Sequence, residues 1–155
     1  MEPPEVDEVD RNVLYMLQTN ARLTATEIGD AIGVSDTTVR NRLDDLEADG
    51  VLRAYVPHID YERAGLQRPF HFTCTVPIIE REEVAKQALK IPGIVTVTER
   101  MTGRENLVIE AVGEDPDDVT RIARQLTELG VDIIDETVVR SHHTTPLEYL
   151  APEED

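Results

Sequence analysis

Residues 24–56 read TATEIGDAIGVSDTTVRNRLDDLEADGVLRAYV, two short amphipathic segments that meet at Gly33-Val34. Thr24 followed by Glu27 is the T-x-x-E capping box of a helix start. Ile28 and Ile32, four apart, share one face of that helix. Gly33 can adopt the left-handed conformation that ends it, and Ser35 is a good N-cap for the next. Val39, Leu43 and Leu46 then recur at i, i+4 and i+7, a buried stripe. Gly50 stops the second helix, and Val51–Val56 is a short apolar run expected to be a strand. This is the pattern of a helix-turn-helix with a wing, and it points to double-stranded DNA as the partner. In such a unit the first residues of the second helix meet base edges in the major groove, and Arg, Asn and Thr side chains can all make those contacts. Ser35, Thr37, Thr38, Arg40, Asn41 and Arg42 are therefore the expected DNA-facing residues. An ordinary helical hairpin with a solvated face would show the same periodicity.

The chain has 155 residues, enough for one or two small domains. A single cysteine, Cys74, gives no intrachain disulfide framework and no cysteine-based zinc site; a buried strand position is expected for it. No segment approaches the roughly 20 apolar residues of a membrane span, and the N-terminus has no signal-peptide pattern. A cytoplasmic protein without membrane association is expected. The net charge is −17, unusual where most DNA-binding domains are basic. The acid is evenly spread, thirteen acids against five bases in residues 1–60 and nineteen against ten in 61–155, and only Lys86 and Lys90 are lysines. An evenly acidic, Lys-poor chain resembles the proteins of salt-accumulating halophiles. In molar salt the Debye length falls to about 3 Å, and long-range repulsion of DNA disappears. Local placement also favours DNA: Asp36, Arg40 and Arg42 give residues 36–42 a positive balance, and Asp44, Asp45, Glu47 and Asp49 lie toward the helix C-terminus.

Outside the opening stretch, Met1–Glu5 with Pro3 and Pro4 reads as a frayed start. Val9, Val13, Leu14 and Leu17 form a helical stripe over 7–20. Residues 57–69 (PHIDYERAGLQRP) mix Pro, Gly and charge and read as a linker. Phe70–Val76 is a strand, Glu80–Lys90 a helix, Ile94–Met101 and Asn106–Val112 strands flanking a turn. Asp115–Leu129 is a helix with Asp115 as N-cap and Pro116 as N1, and Val131–Val139 is a last strand. The expected class is α+β. A winged helix-turn-helix over 6–56 precedes a ferredoxin-like β-α-β-β-α-β unit over 70–145 and an acidic, partly extended tail over 146–155.

Together these halves resemble the Lrp/AsnC family, over about residues 6–145. The matching runs are VDEVDRNVLYMLQTNARLTATEIGDAIGVSDTTVRNRLDDLEADGVLRAYVPHID, IPGIVTVTERMTGRENLVIEAVG and LGVDIIDETVVR. The most specific is S-x-x-T-V-x-x-R-L-x-x-L-E-x-x-G-V, Ser35 to Val51, in which Arg42 falls on the family's usual Arg. With its composition, the resemblance implies a haloarchaeal member. It implies a transcription regulator that dimerises through the sheets of its C-terminal domain and assembles further. It also implies a small effector, often an amino acid, bound between dimers near the turn joining the second and third strands. Here that turn is Thr102, Gly103, Arg104, Glu105 and Asn106, and Thr137 in the last strand matches a Thr that the family often carries close to the effector. The family often has Gly-x-x-Asp at the turn. This chain has Asn106 instead, which keeps hydrogen-bonding capacity but loses the charge that would meet an ammonium group. From the residues alone, Gly103 allows close backbone approach and Arg104 can grip a carboxylate with two bonds; a plain hairpin turn with a charged tip fits equally well.

No catalytic set, P-loop or dinucleotide glycine pattern is present. His58, His71, His142 and His143 are the only metal-prone side chains of their type. His142 and His143 point to opposite sides of an extended chain, so neither metal nor cofactor is expected. Two other readings share this plan. One is a siroheme decarboxylase-like enzyme, against which the 4% aromatic content and the turn TGRENLVIEA count. The other is a nucleoid architectural protein using the same helices.

Overall fold

The computed structural model describes residues 2–154; Met1 of the expected frayed start and Asp155 of the expected acidic tail lie outside the described residues. The chain divides into two units. One comprises residues 2–57 with 143–154, the other residues 58–142.

The first unit is built from three capped helices, α1 (Glu8–Thr19), α2 (Ala25–Ile32) and α3 (Asp36–Ala48). Each begins where a short polar side chain can take up a free backbone N–H. For α1 this is Asp7, whose Oδ1 accepts from the Asp10 N–H at 2.9 Å while Asp10 Oδ2 accepts from the Asp7 N–H at 3.1 Å. For α2, Thr24 Oγ1 accepts from the Glu27 N–H at 3.1 Å and Glu27 Oε2 from the Thr24 N–H at 2.7 Å, the reciprocal box expected from the sequence. Gly33 ends α2 with φ 79°. Val13, Leu17, Ile28, Val39 and Leu46 close a core, with Val9, Leu14, Ile32, Val34, Leu43, Val51 and Leu52 partly buried around it.

The wing expected at Val51–Val56 is not a strand. After Gly50 (φ 71°) the Val51 and Leu52 N–H groups both donate to the Leu46 carbonyl, and residues 53–57 run on without a ladder partner among the described residues. An apolar run becomes a strand only where a second strand accepts its hydrogen bonds, and this unit offers none. Tyr55 instead turns back to donate its hydroxyl to Glu47 Oε1 at 2.9 Å.

The second unit has the expected β-α-β-β-α-β order: β1 (Phe70–Thr75), a 3-10 turn (Ile78–Glu80), α4 (Arg81–Ala88), β2 (Ile94–Glu99), β3 (Leu107–Ala111), α5 (Asp117–Glu128) and β4 (Asp132–Val138). The four strands form an antiparallel sheet in the order β2-β3-β1-β4. Period-2 alternation sends Phe70, Phe72 and Cys74 of β1, with Leu107, Ile109 and Ala111 of β3, to one face. There they pack with Val84, Ala85 and Ala88 of α4 and Ile122 and Leu126 of α5. The other face carries His71, Thr73, Val108 and Glu110, with His71 Nε2 2.8 Å from Glu110 Oε2. At the α5 start, Pro116 takes the cap position. Asp115 still serves, its Oδ1 accepting from the Asp117 N–H at 2.8 Å, while Asp118 Oδ2 accepts from the Glu114 N–H at 2.7 Å.

Two boundaries differ from expectation. The stretch 58–69 is part of the second unit: it folds into a turn over 61–65, the Gln67 N–H donates to the Gly113 carbonyl at 2.9 Å, and the Pro69 carbonyl accepts from the Val139 N–H at 2.8 Å. Residues 143–154 are not a free extension. They belong to the first unit, and Glu148–Leu150 form a 3-10 turn.

Candidate nucleic-acid interface and sensing site

α3 can be presented rigidly because α2 approaches its N-terminus closely. A side chain at Gly29 would put Cβ 2.5 Å from the Val34 carbonyl oxygen and 3.3 Å from the Ser35 carbonyl carbon, so only glycine permits this turn. The sequence signal, a glycine four residues before the helix-ending Gly33, was not singled out as a requirement. Ser35 then caps α3: its hydroxyl accepts from the Thr38 N–H at 3.1 Å and shares a 2.9 Å hydrogen bond with Thr38 Oγ1. With Val39 and Leu46 buried, Thr37, Arg40 and Asn41 stand exposed on the outer side of α3.

The six residues expected to face DNA thus separate into four kinds. Thr37 and Asn41 are exposed, and among the described residues no side-chain hydrogen bond holds them. Ser35 and Thr38 are engaged in the cap. Arg40 Nη1 lies 2.7 Å from Asp36 Oδ2, an exposed i, i+4 pair of the kind that contributes little in water and yields readily to another partner. Arg42 is placed differently from expectation. Its Nη1 is 2.6 Å from Asp7 Oδ2 and 3.3 Å from Asp10 Oδ1, and Asp10 is buried. The cap of α1 and the Arg42 guanidinium hold the Asp7 carboxyl below the usual aspartate range, and the Asp7 hydrogen bond raises Arg42 in turn. Arg42 Nη1 thus ties α3 to the start of α1.

The expected sensing residues are also not equivalent. Thr102, Gly103, Arg104 and Glu105 are exposed. Asn106 is fully buried, and its amide clamps the Val76 backbone: Oδ1 accepts from the Val76 N–H at 2.9 Å and Nδ2 donates to the Val76 carbonyl at 2.8 Å. It joins the start of β3 to the end of β1 from a fully buried position. Glu105 is the only non-glycine residue at positive φ (49°) among the described residues, held by its N–H donating to Thr75 Oγ1 at 2.8 Å. Gly103 adopts no left-handed conformation, and a Cβ there would meet only Ile78 Cδ1 at 3.9 Å. Beside this turn Ile78, Ile79 and Met101 are 61%, 94% and 99% exposed, an apolar rim that sequence reading did not single out.

Thr137 is not brought to the turn within one chain. It pairs with His71, whereas Leu107, next to the turn, pairs with Cys74. The offset is three residues along β1, about 10 Å, and two strands across, about 4.8 Å each. A further open cleft of about 480 Å³, lined by residues including Tyr61, Leu66, Pro92, Glu114 and Arg121, lies at the end of β2 and β3 away from the turn. Arg121 is already tied to Asp118, Gln125 and the Pro92 carbonyl. Among the described residues no group of three or more His, Cys, Asp or Glu side chains is placed to hold a metal, and no helix is long and apolar enough to cross a membrane. His58 and His142 stack with ring centroids 6.3 Å apart.

A glycine-tightened, doubly capped helix pair followed by a four-stranded α+β unit defines a two-unit protein of the helix-turn-helix class. Comparison with known proteins agrees. The AsnC-type helix-turn-helix domain matches residues 6–47. The HTH-type transcriptional regulator LysM of Saccharolobus solfataricus is 30% identical over 124 residues, 80% of this chain and 83% of that protein. An HTH-type transcriptional regulator of Pyrococcus furiosus is 29% identical over 126 residues, 79% of this chain and 81% of its own. The same fold recurs in the leucine response regulatory protein LrpA of Mycobacterium tuberculosis, with TM-score 0.76 and 19% identity over 93% of this chain and 99% of that one. It recurs again in a transcriptional regulator of Neisseria meningitidis in complex with L-Met, with TM-score 0.72 and 22% identity over 92% and 96%. The chain belongs to the Lrp/AsnC family of DNA-binding transcriptional regulators.

Proposed function

We propose that this regulator recognises specific DNA sites through α3 and answers to a small molecule through its second unit. The observation that carries the first part is the exposed triad Thr37, Arg40 and Asn41, on a helix whose start is fixed by Ser35, Thr38 and Gly29. Arg40 and Asn41 read base edges. Ser35, Thr37 and Thr38 at the helix start meet the sugar-phosphate backbone, where a helix N-terminus favours anions. Arg42 serves by holding α3 against α1.

For sensing, the exposed turn Thr102–Glu105 with the apolar rim Ile78, Ile79 and Met101 supports a ligand that has both an anionic group, for Arg104, and an apolar one. That the Neisseria regulator of this fold was crystallised with L-Met supports an amino acid as the first class to try. The separation of Thr137 from this turn fits a site assembled from more than one copy of the chain, hence a homodimer that assembles further. The reading is of a regulator inside the cell rather than an enzyme.

The deciding experiment is genome-wide mapping of bound sites together with footprinting at the strongest of them. Discrete footprints sharing a sequence support the reading; uniform coating would point to an architectural role. Calorimetric titration with the twenty amino acids tests sensing, and an absorbance titration with siroheme that shows binding would reopen the enzyme reading.

A further inference from the structure

The DNA-binding unit contains two separate pieces of the chain. The backbone leaves it after Pro57, builds the sensing unit, and returns at His143. The return is docked. The Leu147 N–H donates to the side-chain oxygen of Gln18 on α1 at 3.1 Å. The turn Glu148–Leu150 packs on α1, with Pro146, Leu150, Ala151 and Pro152 half-buried. Just before the crossing, the backbone is still pinned to the sheet: β4 ends at Val138, and the Val139 N–H donates to the Pro69 carbonyl at 2.8 Å. Only residues 140–142 then separate the sheet from the DNA-binding unit. His58 and His142, which flank the two crossings, stack on one another.

We propose that residues 143–154 are a strap: a second tether between the units, anchored on α1, through which the position of β4 bears on the helix-turn-helix. A unit joined by one flexible crossing samples many orientations. A second short crossing, docked at its far end, removes most of that freedom. Docking involves Gln18 in the C-terminal half of α1, whereas α3 is tied to the N-terminal start of α1 through Arg42. The strap therefore grips the unit at one end of α1 while α3 is held at the other. Because Thr137 lies on β4, the inference deepens the proposed sensing function, but its test uses no ligand and stands or falls separately.

The test uses three changes in the full-length chain. Leu150→Glu places a charge in the docked turn and should release it. Gln18→Ala removes only the hydrogen bond to Leu147 and keeps the fold if Leu150→Glu does not. A six-residue Gly-Ser insertion between Arg140 and Ser141 leaves the docked residues intact but adds about 12–15 Å of slack. Hydrogen exchange reads docking. Anisotropy decay of a dye on Thr26→Cys, with Cys74 buried out of reach, reads tumbling of the DNA-binding unit. Release should speed exchange of amides 14–20 about tenfold in Leu150→Glu and several-fold in Gln18→Ala. The insertion should leave that exchange unchanged yet add a faster tumbling component. Unchanged exchange in both point variants overturns the docking. Unchanged anisotropy in the insertion, or independent tumbling already present without it, overturns the strap.

Discussion

Arg40 and Arg42 sit two positions apart on α3 and are held differently. Arg40 is exposed and loosely paired, so Arg40→Ala should leave thermal stability within about 0.5 kcal/mol and cost about 1–3 kcal/mol at the specific site, with preference relaxed there; affinity for the footprinted site and for random DNA checks this. Arg42→Ala should do the reverse, lowering stability by about 1–3 kcal/mol because buried Asp10 loses its cationic partner. The tie also titrates. The folded-state pKa of Asp7 lies below its unfolded value, so its contribution is complete above the unfolded aspartate pKa, about 3.9, and is lost as pH falls through the lower folded value. Denaturant melts from pH 7 down through the acid range should show the native chain losing stability below about pH 4 more steeply than Arg42→Ala, and parallel curves would refute the tie. The role of Arg42 was not legible in the sequence because its partners lie 35 and 32 residues away, beyond any periodic pattern. The caps of α2 and α3 were legible because every atom in them lies within three residues.

At the scale of elements, two glycines that look alike in sequence behave differently. Gly29→Ala should force α2 from α3, cost about 1–3 kcal/mol and abolish specific DNA binding, whereas Gly103→Ala should be nearly neutral for folding, since nothing but Ile78 Cδ1 approaches; circular dichroism melts with binding titrations compare them. Asn106→Ala should cost about 2–3 kcal/mol, because it leaves the Val76 N–H and carbonyl buried without partners. If Asn106 were instead a ligand group, the melt would hold and only an effector response would suffer. The β-α-β-β-α-β order was readable because alternation, helical stripes and turn residues are local. The clamp to Val76, the missing wing strand and the docking of 143–154 were not, since each depends on what the chain meets elsewhere: a partner thirty residues away, a second strand that the described residues of this unit do not contain, or a helix at the other end of the sequence.

For the whole molecule, the charge of −17 dominates behaviour in solution. Ordinary DNA binding weakens steeply with salt as neutralised phosphates release counterions. Here Arg42 is already tied down, few cations remain near α3, and carboxylates must be screened before a duplex can approach. Affinity for one footprinted fragment should therefore depend weakly or inversely on KCl from about 0.1 M to several molar, and folding should gain stability over the same range. A loss of several log units per decade of salt would defeat this reading and with it the halophilic one. The two-piece construction of the DNA-binding unit has a consequence of another sort, in biosynthesis. Residues 7–52 leave the ribosome first, but residues 143–154 follow about 90 residues later, roughly 5–18 s at ordinary translation rates. Helical units of this size fold in microseconds to milliseconds. Each nascent chain therefore carries, for thousands of folding times, a helix-turn-helix whose docking surface on α1 stays uncovered until residues 143–154 emerge.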